Sequence, residues 1–128
     1  MIPRLKNLEI FQNKKVLVTG HTGFKGSWLT AWLDLLGAEV FGLSLPPPTN
    51  PSHIEVLTLS NLVGDFIQDI TDFEKVSEII SSVEPDFIFH LAAQPIVKTA
   101  YLDPVLTWKT NVLGTQSILE SMRRLNKK

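Results

Sequence analysis

A glycine-spaced loop near the start of the chain decides the fold: Thr19-Gly20-His21-Thr22-Gly23-Phe24-Lys25-Gly26. Before it, residues 15–19 form a short β-branched run, which predicts a buried strand. After it, residues 26–36 carry large apolar side chains at helical spacing, and Gly37 stands where a helix ends. The glycines permit a tight turn, a close approach of backbone to a pyrophosphate, and close packing of helix on sheet. With the free N–H groups of a helix N-terminus, this context predicts a nucleotide-binding turn.

The rest of the chain alternates predicted strands with predicted helices. Three more strands are expected, at residues 39–43, within 62–70 and at 87–91. A helix is expected at residues 72–83, with Asp72 as its N-cap. This order predicts an α/β fold with a Rossmann-type parallel sheet flanked by helices, incomplete because only about four strands are present.

Two connections complete the predicted order. Residues 44–52 form a proline-rich loop after the second strand, and loops at the carboxyl edge of a parallel sheet often touch ligand. From Pro95 onward the pattern is helical, with an interruption near Pro104 and an end near Asn126.

Composition excludes several classes of function. The chain of 128 residues has 12 Lys and Arg against 13 Asp and Glu, a net charge of −1 that argues against a nucleic-acid surface. It has no Cys and three scattered His, so disulfides are excluded and no metal site is expected. No segment approaches the roughly 18 apolar residues of a membrane span, and residues 1–15 lack the apolar core of a signal peptide. We therefore expect a cytoplasmic protein of one domain at most.

The end of the second predicted strand departs from the usual dinucleotide-binding pattern. An Asp or Glu about 20 residues beyond the glycine loop commonly holds the adenosine ribose. Here the strand runs into Leu43-Ser44-Leu45-Pro46, which has no acid, and no Arg that would accept a 2′-phosphate. This favours NAD over NADP, with Ser44 or the loop backbone as the candidate ribose contact.

Four blocks of sequence together resemble a known family, the extended short-chain dehydrogenase/reductases (NAD-dependent epimerases and dehydratases) that act on nucleotide sugars. The blocks are Thr19 to Gly26, Asp69-Ile70, His90-Leu91-Ala92-Ala93-Gln94 and Thr110-Asn111-Val112-Leu113-Gly114-Thr115. Within that family, the segments His21 to Trp28 and Leu45 to Pro51 resemble the CDP-glucose 4,6-dehydratases in particular. The resemblance covers roughly residues 11–126, as the N-terminal portion of such a protein.

The resemblance implies NAD as cofactor and assigns residues to it. Asp69 and Ile70 would contact adenine, Leu91 to Gln94 would lie along the cofactor near the nicotinamide ribose, and Asn111 would help to order the active site. The full set of cofactor-binding candidates is Gly20, Thr22, Gly23, Phe24, Lys25, Gly26, Asp69, Ile70, Leu91, Ala92, Ala93, Gln94, Thr110 and Asn111.

The resemblance also implies a reaction and a setting. CDP-glucose would be oxidised at C4, lose water across C5 and C6, and be reduced at C6, giving CDP-4-keto-6-deoxyglucose. Such products feed deoxysugars of surface polysaccharide, including O-antigen. Relatives commonly pair through helices like the one after Pro95, so the resemblance implies a homodimer as a candidate assembly. Neither a nucleic acid nor a membrane is expected as a partner.

The family's proton-handling dyad, Tyr-x-x-x-Lys, has no counterpart in this sequence. The one tyrosine, Tyr101, is followed four residues later by Val105. We therefore expect no catalytic residues here, residues 1–128 being the N-terminal part of a Rossmann domain without the nucleotide-sugar domain. The expectation is a truncated or split gene product, or a fragment, that is inactive alone and has a marginal fold with an unpaired sheet edge. Alternatives are a free-standing NAD-binding module, a remnant, or part of another nucleotide-sugar dehydratase or epimerase.

Several residues admit two interpretations. His21 either packs within the loop or contacts ligand, Asp69 is a turn residue or an adenine contact, and Gln94 with Pro95 lines the sugar pocket or packs at its edge. For the other residues one interpretation is favoured. Lys25 is expected at phosphate, Trp28 and Trp32 in the core or an interface, and His53 has no partner pattern that would indicate a metal site. We expect His90 to be a satisfied core histidine, Tyr101 a helix-packing residue and Asn111 a structural amide.

Overall fold

A computed structural model describes residues 3–57 and 62–125. After an N-terminal 3₁₀ helix, Pro3–Phe11, strands and helices follow in the order β1, α1, β2, α2, β3, α3, β4, α4, α5, a π-helical turn and α6. Their bounds are β1 Lys15–Thr19, α1 Phe24–Leu35, β2 Glu39–Ser44, α2 His53–Val56, β3 Gly64–Ile67, α3 Phe73–Val83, β4 Phe87–His90, α4 Val97–Leu102, α5 Pro104–Trp108, the π-helical turn Lys109–Leu113 and α6 Gly114–Arg124.

The four strands form one parallel sheet in the order β3-β2-β1-β4. At its centre, Leu17 of β1 is in register with Phe41 of β2 and Ile88 of β4. The predicted α/β class and the Rossmann-type parallel sheet are therefore confirmed.

The core lies on both faces of this sheet because successive side chains of a strand point to opposite sides. Val16 and Val18 pack with Leu33 of α1 on one face. Leu17 and Ile80 of α3 lie in a second cluster on the other face, which α6 also covers. The sheet is thus sandwiched between helices, and all four strands end at one edge.

The local start and stop signals of two helices are confirmed. Asp72 caps α3 by accepting a hydrogen bond from the Lys75 backbone N–H at 3.2 Å. Gly37 follows α1 with a φ of +79°, the left-handed conformation that glycine adopts readily. The expected interruption also occurs, since α4 ends at Leu102 and α5 begins at Pro104. The expected end at Asn126 lies outside the described residues.

Other expectations are corrected. Helix α1 begins at Phe24 rather than at residue 26, and neither the 3₁₀ helix nor α2 was predicted. Trp28 and Trp32 are 54% and 51% exposed, so of their two expected places, the core or an interface, they do not occupy the core. Tyr101 is 85% exposed, so it does not pack as a buried helix residue within the described part of the chain. Among helices in the described part of the chain, none combines the length and apolarity that crossing a bilayer requires.

Candidate cofactor site

The glycine loop crosses the carboxyl edge of the sheet between β1 and α1 and lies directly against the turn after β4. Gly20 has a φ of +73°, and a Cβ there would lie 2.7 Å from the backbone nitrogen of Ala92. Only glycine satisfies both the backbone conformation and this contact. The two segments therefore form one continuous backbone surface.

The other two glycines of the loop have different surroundings. A Cβ on Gly26 would overlap the carbonyl of Gly20, so close packing of α1 on the strand requires glycine there. A Cβ on Gly23 would meet one atom at short range, the Gly20 carbonyl oxygen at 3.3 Å. The packing of the protein therefore demands Gly26 but not Gly23.

The start of α1 is suited to an anion. Its N-cap, Gly23, offers no side-chain hydrogen bond, and the first turn holds no acidic residue. Lys25 and Phe24 in that turn are exposed. The positive end of the helix dipole and a lysine therefore act together at this point.

The side chain of Thr22 is directed into the protein. Its hydroxyl donates to the Leu45 carbonyl at 3.0 Å and lies 2.7 Å from the Ser44 hydroxyl, which must then be the donor between the two. Both side chains are buried. This pair ties the glycine loop to the end of β2, so the Ser44 hydroxyl is engaged in a hydrogen bond within the protein.

His21 also turns inward and packs within the protein, against β2 and β3 and not within its own loop as the packing interpretation had it. Its ring is fully buried, and its Nε2 lies 2.9 Å from Asp65 Oδ1 on β3. Gly42 makes room for it, since a Cβ there would lie 2.5 Å from three ring atoms. Burial lowers the pKa of His21, and the Asp65 carboxylate and Leu43 carbonyl only partly oppose that shift.

Asp69 and Ile70 stand after β3 at the same edge. Asp69 Oδ1 accepts from the backbone N–H and the hydroxyl of Thr71, each at 2.8 Å, so this residue does form a turn. The side chain itself is exposed. Ile70 is 4% exposed and packs in the core against Gly114, which leaves its backbone for any external contact.

The turn after β4 is clamped by Asn111. The Gln94 backbone N–H donates to Asn111 Oδ1 at 2.8 Å, and Asn111 Nδ2 donates to the Gln94 carbonyl at 3.2 Å. The Gln94 side chain turns back to Thr107 at 2.8 Å, which supports packing at the edge. Asn111 lies in the π-helical turn, a distortion common at functional sites, and has the structural role expected of it.

Among the other candidates, Ala92 and Leu91 pack against the core clusters on the two faces of the sheet. Leu91, Ala92 and Thr110 are half-buried and Ala93 is exposed. His90, just before them, bonds Thr19 and Thr115 through its two ring nitrogens, as expected of a satisfied histidine.

His53 has neighbours in the structure that no sequence pattern indicated. Its Nδ1 lies 2.5 Å from the Ser27 hydroxyl, and its ring packs against Phe24 and Trp28 with centroid distances of 5.3 and 4.7 Å. Ser52 and Glu55 form a capping box that starts α2 just there. Their Ser-x-x-Glu spacing is the sequence signal that could have predicted this helix.

Comparison with known proteins shows the family to which the chain belongs. The profile of the GDP-mannose 4,6 dehydratase family matches residues 17–128. The chain belongs to this family. It is 48% identical over 115 residues to CDP-glucose 4,6-dehydratase of Salmonella typhimurium, which covers 90% of this chain and 32% of that protein. It is 34% identical over 112 residues to a GDP-mannose 4,6-dehydratase of Sordaria araneosa, covering 88% of this chain and 20% of that one.

A solved structure agrees with the fold. The UDP-glucose 4-epimerase of Thermus thermophilus, in complex with NAD, superimposes with a TM-score of 0.77 at 33% identity, over 87% of this chain and 34% of that one. The chain thus spans about a third of the length of the Salmonella and Thermus proteins that it matches.

Proposed function

We propose that this chain is the NAD-binding part of a CDP-glucose 4,6-dehydratase. The observation that carries the proposal is Gly23, which stands at an anion-suited helix start although the packing of the protein does not require glycine there. A missing side chain at that point leaves backbone open to a diphosphate. Family membership and the higher identity to the CDP-glucose enzyme support the choice of substrate.

The proposed contacts follow from what each candidate leaves free. Gly20, Gly23 and Gly26 with Phe24 and Lys25 would hold the pyrophosphate through backbone N–H groups and the lysine charge. Thr22 would act by fixing the loop to β2. Asp69 and the Ile70 backbone would meet adenine. Leu91 to Gln94, held by the hydrogen bonds of Asn111, would line the nicotinamide side together with Thr110. When bound there, NAD supplies a hydride acceptor and donor for the sugar.

Replacing Gly23 by Ala tests the cofactor site. The fold accepts this Cβ with a small adjustment, whereas a diphosphate on the loop would meet it directly. We expect NAD⁺ affinity in calorimetry to fall about tenfold or more, a loss of at least about 1.4 kcal/mol, with an unchanged melting temperature. The matched control is Ser81→Ala, an exposed site at the far end of α3, which should bind like the unmodified chain. Equal affinity of Gly23→Ala and control would contradict the proposed site.

Activity should require more chain than these residues. The described part offers no Tyr-x-x-x-Lys pair, because the residue four positions after Tyr101 is Val105. We therefore expect no conversion of CDP-glucose by residues 1–128 with NAD⁺. A chimera in which this chain replaces the matching third of the Salmonella enzyme should form CDP-4-keto-6-deoxyglucose. The same exchange in the Sordaria GDP-mannose enzyme, where identity is lower, should give less activity. Turnover by the chain alone, or an inactive but folded Salmonella chimera, would overturn this.

We also propose a homodimer, a cytoplasmic location and a role in making deoxysugars of surface polysaccharide. The dimer is supported by an apolar face on α4 and α5, and the other two by the family resemblance. This face, here called the α4–α5 face, consists of Tyr101, Leu102, Val105 and Trp108, each at least 65% exposed.

A further inference from the structure

The His90 side chain, at the end of β4, joins two parts of the candidate site. Its Nδ1 lies 2.7 Å from the Thr19 hydroxyl on β1, and its Nε2 lies 3.0 Å from the Thr115 hydroxyl on α6. The ring is half-buried between these elements. Both ring nitrogens are therefore engaged, with a hydroxyl on each side.

The hydrogen bonds of the Thr19 hydroxyl determine whether Nδ1 of His90 carries a hydrogen. The Thr19 oxygen accepts from the backbone N–H of Leu91 at 3.1 Å and of Ala92 at 3.2 Å. A hydroxyl has two acceptor lone pairs and one proton, so with both lone pairs occupied the proton must go to His90. Nδ1 is then the acceptor and carries no hydrogen.

The hydrogen bonds of the Thr115 hydroxyl determine whether Nε2 of His90 carries a hydrogen. The Thr115 hydroxyl donates its proton to the Asn111 carbonyl at 2.7 Å. Its contact with His90 therefore requires a proton on Nε2. The two threonines independently specify a neutral ring with its hydrogen on Nε2, so the network has one consistent arrangement.

This arrangement reaches the backbone that faces the proposed cofactor. Thr19 holds the start of the turn at Leu91 and Ala92, and Ala92 lies against Gly20 of the glycine loop. Asn111, whose carbonyl Thr115 binds, holds the end of the turn at Gln94. His90 is the side chain that links the two anchors.

Resting on the proposed function, we propose that His90 is a positioning residue for NAD, which in its neutral Nε2–H form locks the turn after β4 to both the glycine loop and the Asn111 helix. Protonation would break the lock. A hydrogen on Nδ1 would face the Thr19 hydroxyl, whose oxygen already accepts twice, so at least one bond to the turn must be given up. Cofactor affinity should then fall with acidification.

The charged groups on the elements around His90 are engaged or directed away from its ring. On the elements packed against it, Lys15 lies at the opposite end of β1 and donates to the Val83 carbonyl, and Glu120 is bonded to Arg123 and Arg124 beyond the first turn of α6. Lys109 of the π-helical turn is exposed. Burial is what lowers the pKa of His90, in keeping with a ring held neutral.

The first test uses the ligand-free chain and does not depend on NAD. Long-range proton–nitrogen NMR should show His90 as the Nε2–H tautomer. The amide signals of Leu91, Ala92 and Gln94 should shift on acidification with the same midpoint as the ring. An Nδ1–H tautomer, or turn amides that titrate independently of the ring, would overturn the proposal.

The second test measures NAD⁺ affinity in Thr115→Val and Thr115→Ser. Valine keeps the shape but removes the hydroxyl that accepts from His90 Nε2–H, so affinity at neutral pH should fall about tenfold. The decline on acidification should persist, because Nδ1 still faces the Thr19 hydroxyl. Serine restores the hydroxyl and should restore the affinity, and equal affinity of the valine and serine variants would refute a positioning role. If the unmodified chain binds no NAD⁺, the proposed function fails. The NMR test still shows whether His90 holds the turn after β4, because it needs no cofactor.

Discussion

Each histidine of this chain has defined neighbours within the protein. His21 occupies the glycine loop yet reaches under Gly42 to Asp65. The sequence could not predict this, because a contact across 44 positions depends on strand order and not on local pattern. The glycine pattern itself was predictable, since it reflects backbone geometry within one turn.

Substituting Gly42 by Ala tests how tightly His21 is held. The new Cβ would lie 2.5 Å from three atoms of a fully buried ring, so the chain should lose about 1–3 kcal/mol of unfolding free energy, measured by urea denaturation. In a His21→Ala background the same substitution should cost much less. An equal cost in both backgrounds would show that the ring is not what Gly42 accommodates.

At the scale of elements, hydrophobic periodicity predicted α1 but not which of its faces is buried. Large apolar residues occur at 28, 29, 32, 33 and 36, a wider set than one helical face can bury against a sheet. Leu33 faces the core, whereas Trp28 and Trp32 are half exposed. The capping residues Asp72 and Gly37 predicted the start of α3 and the end of α1 correctly. They act on their own helix ends through local hydrogen bonds and dihedral angles.

The α4–α5 face leads to a prediction about assembly. Introducing a charge there by Trp108→Glu should convert a dimer into a monomer, because an unpaired carboxylate would be buried in the contact. Sedimentation velocity is the measurement. The control is Leu35→Glu, an equally drastic change at a residue of α1 that is 84% exposed, which should leave the dimer intact. A monomeric unmodified chain at every concentration would contradict the proposed pairing.

For the whole molecule, stability should depend on pH through the buried His21 and the half-buried His90. Burial lowers the pKa of both His21 and His90, so below about pH 6.5 the unfolded chain binds more protons than the folded one. Unfolding free energy should therefore fall as the pH drops from 7 towards 5. Glu120, whose pKa two arginines lower to about 2, lies outside this window.

Urea denaturation at several pH values measures that dependence. The variant His21→Gln removes one of the two groups and should give a shallower slope between pH 7 and 5. A stability that is constant or rises on acidification would show that the rings are not held neutral.

The α/β class of the whole molecule could be predicted from the sequence. Alternating strands and helices leave few topologies once crossovers are right-handed. The hydroxyl contacts Thr22–Ser44 and Thr19–His90 could not be predicted from it, because they join segments 22 and 71 positions apart.

The contact between Gly20 and Ala92 has a consequence for recombination among dehydratases. Because a Cβ at residue 20 would fall within 3 Å of three backbone atoms at positions 91 and 92, the shapes of these two segments must match. A gene crossover placed between them would combine a loop from one parent with a turn from another. Libraries of hybrid dehydratases should therefore retain more folded members when both segments come from one parent and the junction lies beyond Asn111.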